Sequence, residues 1–225
     1  MAKPRNDIEV KERIYQAAKT LFLELGYKKT TYREIADMVN ANGGLITYYY
    51  GSKSKLGLMV YNEYMKQIKE LVRQQFEIKN IVYDLLIATA TEIRVHGRLM
   101  LTNRNLRQFY TDLLSENVLY KGTAVAVDYF RVLVEEYGQK MPEYKMKLLT
   151  YGNFGFQQGI SLAREIGEID CSSKEFDEAN IEVFLLLLGI DAKKVREVLE
   201  VSTKLENDMP EILVKKGFEM SVLPK

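Results

Sequence analysis

Residues 31–53, TYREIADMVNANGGLITYYYGSK, spell two short helices joined by a turn. Thr31 followed three residues later by Glu34 is a capping box, in which the Thr hydroxyl accepts from the backbone N–H of residue 34 and the Glu carboxylate reaches back. The helix begun there carries Ile35, Ala36, Met38 and Val39 inward, and it lasts about two turns because the polar turn Asn40-Ala41-Asn42 follows at once. Asn42 can cap a second short helix. Its first turn holds Gly43 and Gly44, whose lack of side chains lets backbone approach another surface closely.

Working outward, Ile14, Ala17, Ala18, Leu21, Phe22 and Leu25 recur at helical spacing before Gly26, which marks an amphipathic helix with a glycine cap. On the other side Ser52 caps a long helix from about Ser54 to Gln75. A helix, two short helices and a tight turn make the outline of a helix-turn-helix, whose second short helix enters the major groove of DNA. Further helices are expected over Ile81–Arg94, Asn103–Ser115, Ala124–Tyr137, Tyr144–Ile166, Glu175–Leu188 and Ala192–Glu206. Gly97, 121–122, 138–142, 167–173 and 189–191 supply the breaks, and no alternating strand pattern competes. The expected fold class is all-α, a three-helix DNA-binding domain over residues 1–53 followed by a bundle of about six helices over residues 54–225.

Composition narrows the function. At 225 residues and 47% hydrophobic content the chain can bury a sizeable core. Its charged amino terminus has no apolar stretch behind it, and the run Val183–Leu188 is too short to cross a bilayer, so a soluble cytoplasmic protein is expected. A single Cys171 and a single His96 suggest neither a disulfide framework nor a metal site, and no cofactor is expected. There is no Glu-x-x-His pair, no phosphate-cradling glycine loop and no Ser-His-Asp set, which argues against an enzyme. Net charge is +1, but residues 1–56 carry ten Lys and Arg against six Asp and Glu. An ordinary solvated surface and a nucleic-acid-binding front both fit that asymmetry.

The residues Ile14, Ala18, Leu21, Phe22, Gly26, Tyr27, Thr31, Ile35, Ala36, Gly44, Ile46, Tyr49, Tyr50, Ser52, Lys53 and Leu56 together resemble the DNA-binding signature of the TetR family of transcription regulators. Core positions, caps and polar residues agree in order, which helical periodicity alone does not produce. Thr47 stands where the family usually has Tyr, and the turn Asn40-Ala41-Asn42 also departs from the usual pattern, which bears on the contacts made by Thr47 and Asn42. Tyr50 replaces the family's Phe and is expected in the core. Thr31, Tyr48, Tyr49 and Lys53 are suited to phosphate contacts, Lys53 because a cation at a helix start opposes the helix dipole unless an anion joins it. Base reading falls to Asn42, Gly43, Gly44, Thr47 and Tyr48. With two glycines among them, specificity should lean on Arg33, Tyr48, thymine-methyl contacts and DNA shape.

The remainder carries no comparable signature. By resemblance, residues 175–207 form the homodimer interface, and the dimer reads a palindromic operator with recognition helices roughly 34 Å apart. Phe184–Leu188 are apolar around more than one face, which fits either a dimer contact or a helix buried on all sides. Tyr83, Phe109, Tyr110, Tyr129, Tyr151, Asn153, Phe154 and Gln157 are the candidates for a pocket holding a partly apolar small-molecule effector. His96-Gly97 is expected to end a helix, with a ligand contact by His96 as the alternative, and Gly152, Gly155 and Gly159 imply close packing or a bound molecule. The expected function is a ligand-responsive regulator, a repressor by family habit, released from DNA by its effector. A DNA-binding protein without a small ligand, or an activator of the same fold, is the alternative.

Overall fold

In the computed structural model residues 5–137 and 140–223 are described, so the expected break at Gly138 begins outside the described residues. Helix α1, Arg5–Leu25, buries Ile14, Ala17, Ala18 and Phe22 and stops at Gly26, whose φ is +89°. Leu25 falls off that face and is 42% exposed. Helix α2, Tyr32–Met38, begins with the expected capping box. Met38 turns outward rather than inward because a two-turn helix has room for only one buried stripe, here Ile35, Ala36 and Val39. Asn40 takes a left-handed φ of 51°, and the Asn42 carboxamide oxygen accepts from the N–H of Gly44 at 2.8 Å to start α3, Gly44–Tyr50.

Ser52 caps α4, Lys53–Ile78, accepting from the N–H of Lys55. Its buried side chains Leu56, Val60, Tyr64, Ile68, Val72 and Phe76 recur every fourth residue. At 3.6 residues per turn each such step rotates about 40°, so the stripe winds roughly half-way round the helix along its length. One end of α4 therefore packs on α1 and α3 while the other packs on α5, Leu85–Thr102. Helix α5 begins after Asp84, whose carboxylate accepts from the N–H groups of Leu86 and Ile87 at 3.0 Å. It runs through Gly97 without a break. A Cβ there would lie 2.6 Å from the Asp177 carboxylate, so glycine serves close packing and not termination.

Helices α6 (Arg104–Ser115), α7 (Thr123–Glu136), α8 (Glu143–Glu165), α9 (Ser173–Leu187) and α10 (Ala192–Asp208) complete the bundle, with a 3₁₀ turn at Leu119–Gly122. Helix α5 is the central member, contacting α4, α6, α9 and α10. Of the Phe184–Leu188 run, Phe184, Leu185 and Leu188 face the core and Leu186 is 64% exposed. The chain ends in a feature too short to leave a sequence pattern, a hairpin of β1 (Ile212–Val214) and β2 (Met220–Val222). Its turn drives the fully buried Phe218 against Phe109, with ring centroids 4.6 Å apart, beside α1.

Gly97→Ala is expected to force α5 and α9 apart or displace the Asp177 carboxylate, at a cost of about 1 to 3 kcal/mol. Thermal unfolding checks this. A midpoint equal to that of the parent protein would show that the contact relaxes freely.

Candidate functional site

The helix-turn-helix presents Thr31, Arg33, Asn42, Gly44, Thr47 and Tyr48 on its exposed side, with Gly43 and Tyr49 half-buried. Tyr48 is 68% exposed and packs edge-on against Tyr49 at 5.0 Å. Arg33 forms only a 3.6 Å contact with Asp37 between two highly exposed side chains, a pairing worth little in water. Ile46 and Tyr50 anchor α3 from beneath, and the Tyr50 hydroxyl donates to the Lys11 carbonyl at 2.6 Å. A Cβ at Gly43 would meet nothing within 4 Å, so the fold itself does not demand glycine there.

Lys53, expected at a phosphate, has its ammonium engaged within the head. Its ammonium donates to the carbonyls of Tyr27 and Thr30 at 3.0 Å and reaches that of Lys28 at 3.4 Å, while lying 4.5 Å from the centre of the Tyr27 ring. Burial lowers its pKa, opposed by the nearby Glu116, Asp112 and Glu34. The carbonyls after α1 supply the partial negative charge that was expected of a phosphate. Its backbone N–H also donates to the Tyr32 hydroxyl at 2.6 Å, so the start of α4 is tied to the α1–α2 connection twice. The exposed lysines Lys29 and Lys55 flank this region; the sequence reading passed over them because a surface lysine carries no periodicity or cap to single it out.

A cavity of about 630 Å³ lies within the bundle, walled by α4 to α9. Of the residues picked from sequence, Tyr110, Tyr129, Asn153, Phe154 and Gln157 line it. Three do not. Phe109 is fully buried between Phe22 and Phe218, one helical position round from Tyr110. Tyr83 packs on Phe76 at a separate surface hollow, and Tyr151 is half-exposed and stacks on Tyr120. Aromatic type alone did not tell which side of a helix each ring takes.

The sequence reading missed Tyr61, Met65, Lys69 and Glu92 on the wall from α4 and α5, and it placed His96 first at a helix end. His96 sits inside α5 and does not end it. Its Nδ1 is 3.0 Å from the Tyr64 hydroxyl, its ring meets Tyr110 edge-on at 4.8 Å, and its Nε2 is buried with no hydrogen-bond partner. Burial pushes the imidazole down to about 4, so it is neutral at pH 7. Glu92 is buried against Lys69 at 2.5 Å, and burial raises its pKa despite that partner. Burial lifts Asp177 to about 7, with Arg94 and Arg164 pulling it back. Across the cavity, Oδ1 of Asn153 is also buried without a partner.

Two of the walls also reach the head. Helix α4 carries Tyr61, Met65 and Lys69 to the cavity and is bound to the α1–α2 connection through Lys53. Helix α6 turns Tyr110 to the cavity, and Asp112 on its other side accepts from the Lys28 N–H at 2.8 Å and sits over Gly26. Among the described residues no group of His, Cys, Asp or Glu is placed to hold a metal ion, and no helix is long and apolar enough to cross a membrane.

Residues 14–58 match the family described as bacterial regulatory proteins, tetR family. Among solved structures, RolR in complex with the ligand resorcinol is similar over 87% of this chain and 95% of that one, with a TM-score of 0.60 and 19% identity. RolR without ligand is similar over 84% and 96%, with a TM-score of 0.55 and 19% identity. No curated protein matches. The RolR likeness is one of fold. The match at 14–58 falls on the α1–α4 segment whose caps and core are described above, so that segment is of the tetR-family type, and the chain as a whole shares its fold with RolR.

Proposed function

We propose that the protein is a repressor that binds a palindromic operator as a homodimer and is released when a small molecule fills the bundle cavity. In this reading residues 1–53 bind DNA and residues 54–225 sense and dimerise. The observation that carries it is that α4 and α6 each line the cavity and each grip the head, through Lys53 and Asp112. A shift of either helix on filling the cavity must move the head with it. A coupling of about 1 to 3 kcal/mol changes DNA affinity roughly 5- to 150-fold. RolR holds resorcinol in its own structure, which supports a small-molecule effector for a bundle of the same fold.

On DNA, Asn42, Gly43, Gly44, Thr47, Tyr48 and Arg33 face the bases, and Thr31, Tyr48 and Tyr49 face phosphates. Lys29 and Lys55, exposed beside Lys53, join it on the phosphate side.

The interface expected over 175–207 shifts towards α8. Helix α10 spends its apolar side on α5, and its outward residues Arg196, Glu197, Glu200 and Lys204 are charged. Exposed apolar surface gathers instead on α8 and α9, at Tyr144, Leu148, Tyr151 and Leu186. Gly152, Gly155 and Gly159 lie on α8 as well and permit close approach of another helix. These two helices supply the inner wall of the cavity from their other sides, so effector and partner subunit touch the same elements.

Binding to genomic duplex fragments, followed by fluorescence anisotropy, tests the DNA reading. Lys29→Ala with Lys55→Ala should weaken all sequences alike and flatten the log–log salt slope by about 0.9 per lost phosphate contact. An unaltered slope would remove both lysines from the interface. Gly43→Ala should leave the thermal midpoint unchanged yet weaken operator binding about tenfold, because its Cβ meets nothing in the free protein. Full affinity in that variant would exclude close backbone approach.

For the dimer, Leu148→Glu combined with Leu186→Glu is expected to move the sedimentation coefficient from dimer to monomer. A persistent dimer would return the interface to α10.

A further inference from the structure

The cavity's chemistry specifies what it takes, given the reading above that it is the effector site. Its charged lining comes in opposing signs: Lys69 is neutralised by Glu92 at 2.5 Å, and Arg164 donates to Ser173 Oγ at 3.0 Å and pairs in charge with Asp177. Arg107 and the exposed Glu165 complete the set with one charge of each kind. The lining thus holds three basic side chains and three carboxyl groups, so a charged ligand meets no formal net countercharge and would pay desolvation on entry.

The unsatisfied groups are neutral. His96 Nε2 on α5 and Asn153 Oδ1 on α8 are buried without partners, and both side chains line the cavity. Tyr64 at Nδ1 can act as donor or acceptor, so Nε2 is a lone pair in one tautomer and an N–H in the other. A hydroxyl is the group that serves either, because it both donates and accepts. It also serves the Asn153 carboxamide whichever way that amide is turned. The walls around these two groups are rings. Tyr61 and Tyr110 stack on each other at 6.0 Å, Phe154 and Phe130 stand on the facing helices, and such ring surfaces around a cavity suit a flat apolar body.

We infer that the effector is an uncharged, hydroxylated aromatic molecule whose rings lie among Tyr61, Tyr110 and Phe154 and whose hydroxyl groups meet His96 and Asn153. A volume of about 630 Å³ has room for two rings or more.

A shape-matched series tests it by titration calorimetry on the full-length protein: biphenyl-4,4′-diol, its dimethyl ether and biphenyl-4,4′-dicarboxylate. The diol should bind at least tenfold more tightly than the ether, which has lost its donors, and the dicarboxylate should not bind. His96→Phe and Asn153→Leu, each checked for an unaltered thermal midpoint, should weaken the diol about tenfold and shrink its lead over the ether. An ether equal to the diol, a dicarboxylate that binds better, or a protein that binds none of the three overturns the chemical class. The cavity itself is tested apart from that class with the small-molecule fraction of a cell extract. Release of operator DNA that is lost in Asn153→Leu keeps the cavity as the effector site with a different ligand. Release, or diol binding, that is undiminished in both variants overturns the cavity as the site.

Discussion

A helix buried on every side must satisfy each polar group it carries from its neighbours, and α5 places Glu92, Arg94 and His96 within one and a half turns of the protein's centre. Between them they recruit three helices. Glu92 takes Lys69 of α4, Arg94 takes Ser202 of α10 at 3.1 Å with Glu178 of α9 close by, and His96 takes Tyr64 of α4. Because an unpaired buried charge costs far more than its pair gains, these contacts fix the positions of α4, α9 and α10 more than they add net stability. Replacing the Glu92–Lys69 pair with matched apolar residues would therefore not be expected to unfold the protein, whereas removing Lys69 alone would strand a buried carboxylate.

From that fixed centre, α4 carries position outward to the head. Its winding stripe lets one helix serve both ends of a single core, with Leu56 and Val60 under the helix-turn-helix and Val72 and Phe76 towards the bundle. The carboxy-terminal hairpin adds a further tie. Gln67 of α4 donates to the Phe218 carbonyl at 2.9 Å and accepts from the Met220 N–H at 3.0 Å, and Lys216 lies 3.5 Å from Glu24 of α1. The residues that follow α10 thus return to the junction between head and bundle, so the head rests on contacts from α4, α6 and the chain's own end.

Local physics was legible in the sequence and non-local partnership was not. The Thr31–Glu34 box, the Ser52 cap, Gly26 and the buried Ile35, Ala36 and Tyr50 follow from spacings of a few residues, and the structure carries all of them. The internal partners of Lys53 were not legible, because the carbonyls that hold it belong to residues 27–30, far away along the chain. His96 looked like a terminus because the glycine after it answers to Asp177, eighty positions on. The choice among aromatic residues split for the same reason. Phe109 and Tyr110 are adjacent and equally apolar by type, and only the approach of Phe218 on one side and Ser161 on the other decides which of them is core.

The bundle's support is uneven in a way that suits a sensor. Helix α5 is buried along most of its length, whereas α8, with twenty-three residues, fully buries only Met146, Thr150 and Asn153. Helix α8 also contains three glycines, two of which have open space where a side chain would lie. A segment with few buried contacts opens and shifts at lower free energy than the core it leans on. Its inner side borders the cavity and its outer side carries exposed apolar residues, so occupancy within and a second subunit without would both act on the same weakly held helix. A molecule bound inside changes DNA affinity only if it favours one placement of that wall over another, since equal affinity for both shifts nothing. The orphaned Asn153 oxygen lies on this sparsely buried helix and the orphaned His96 nitrogen on the deeply buried one. A ligand spanning the two would prefer the wall position that brings both within hydrogen-bonding reach, and that preference is the differential affinity a switch needs.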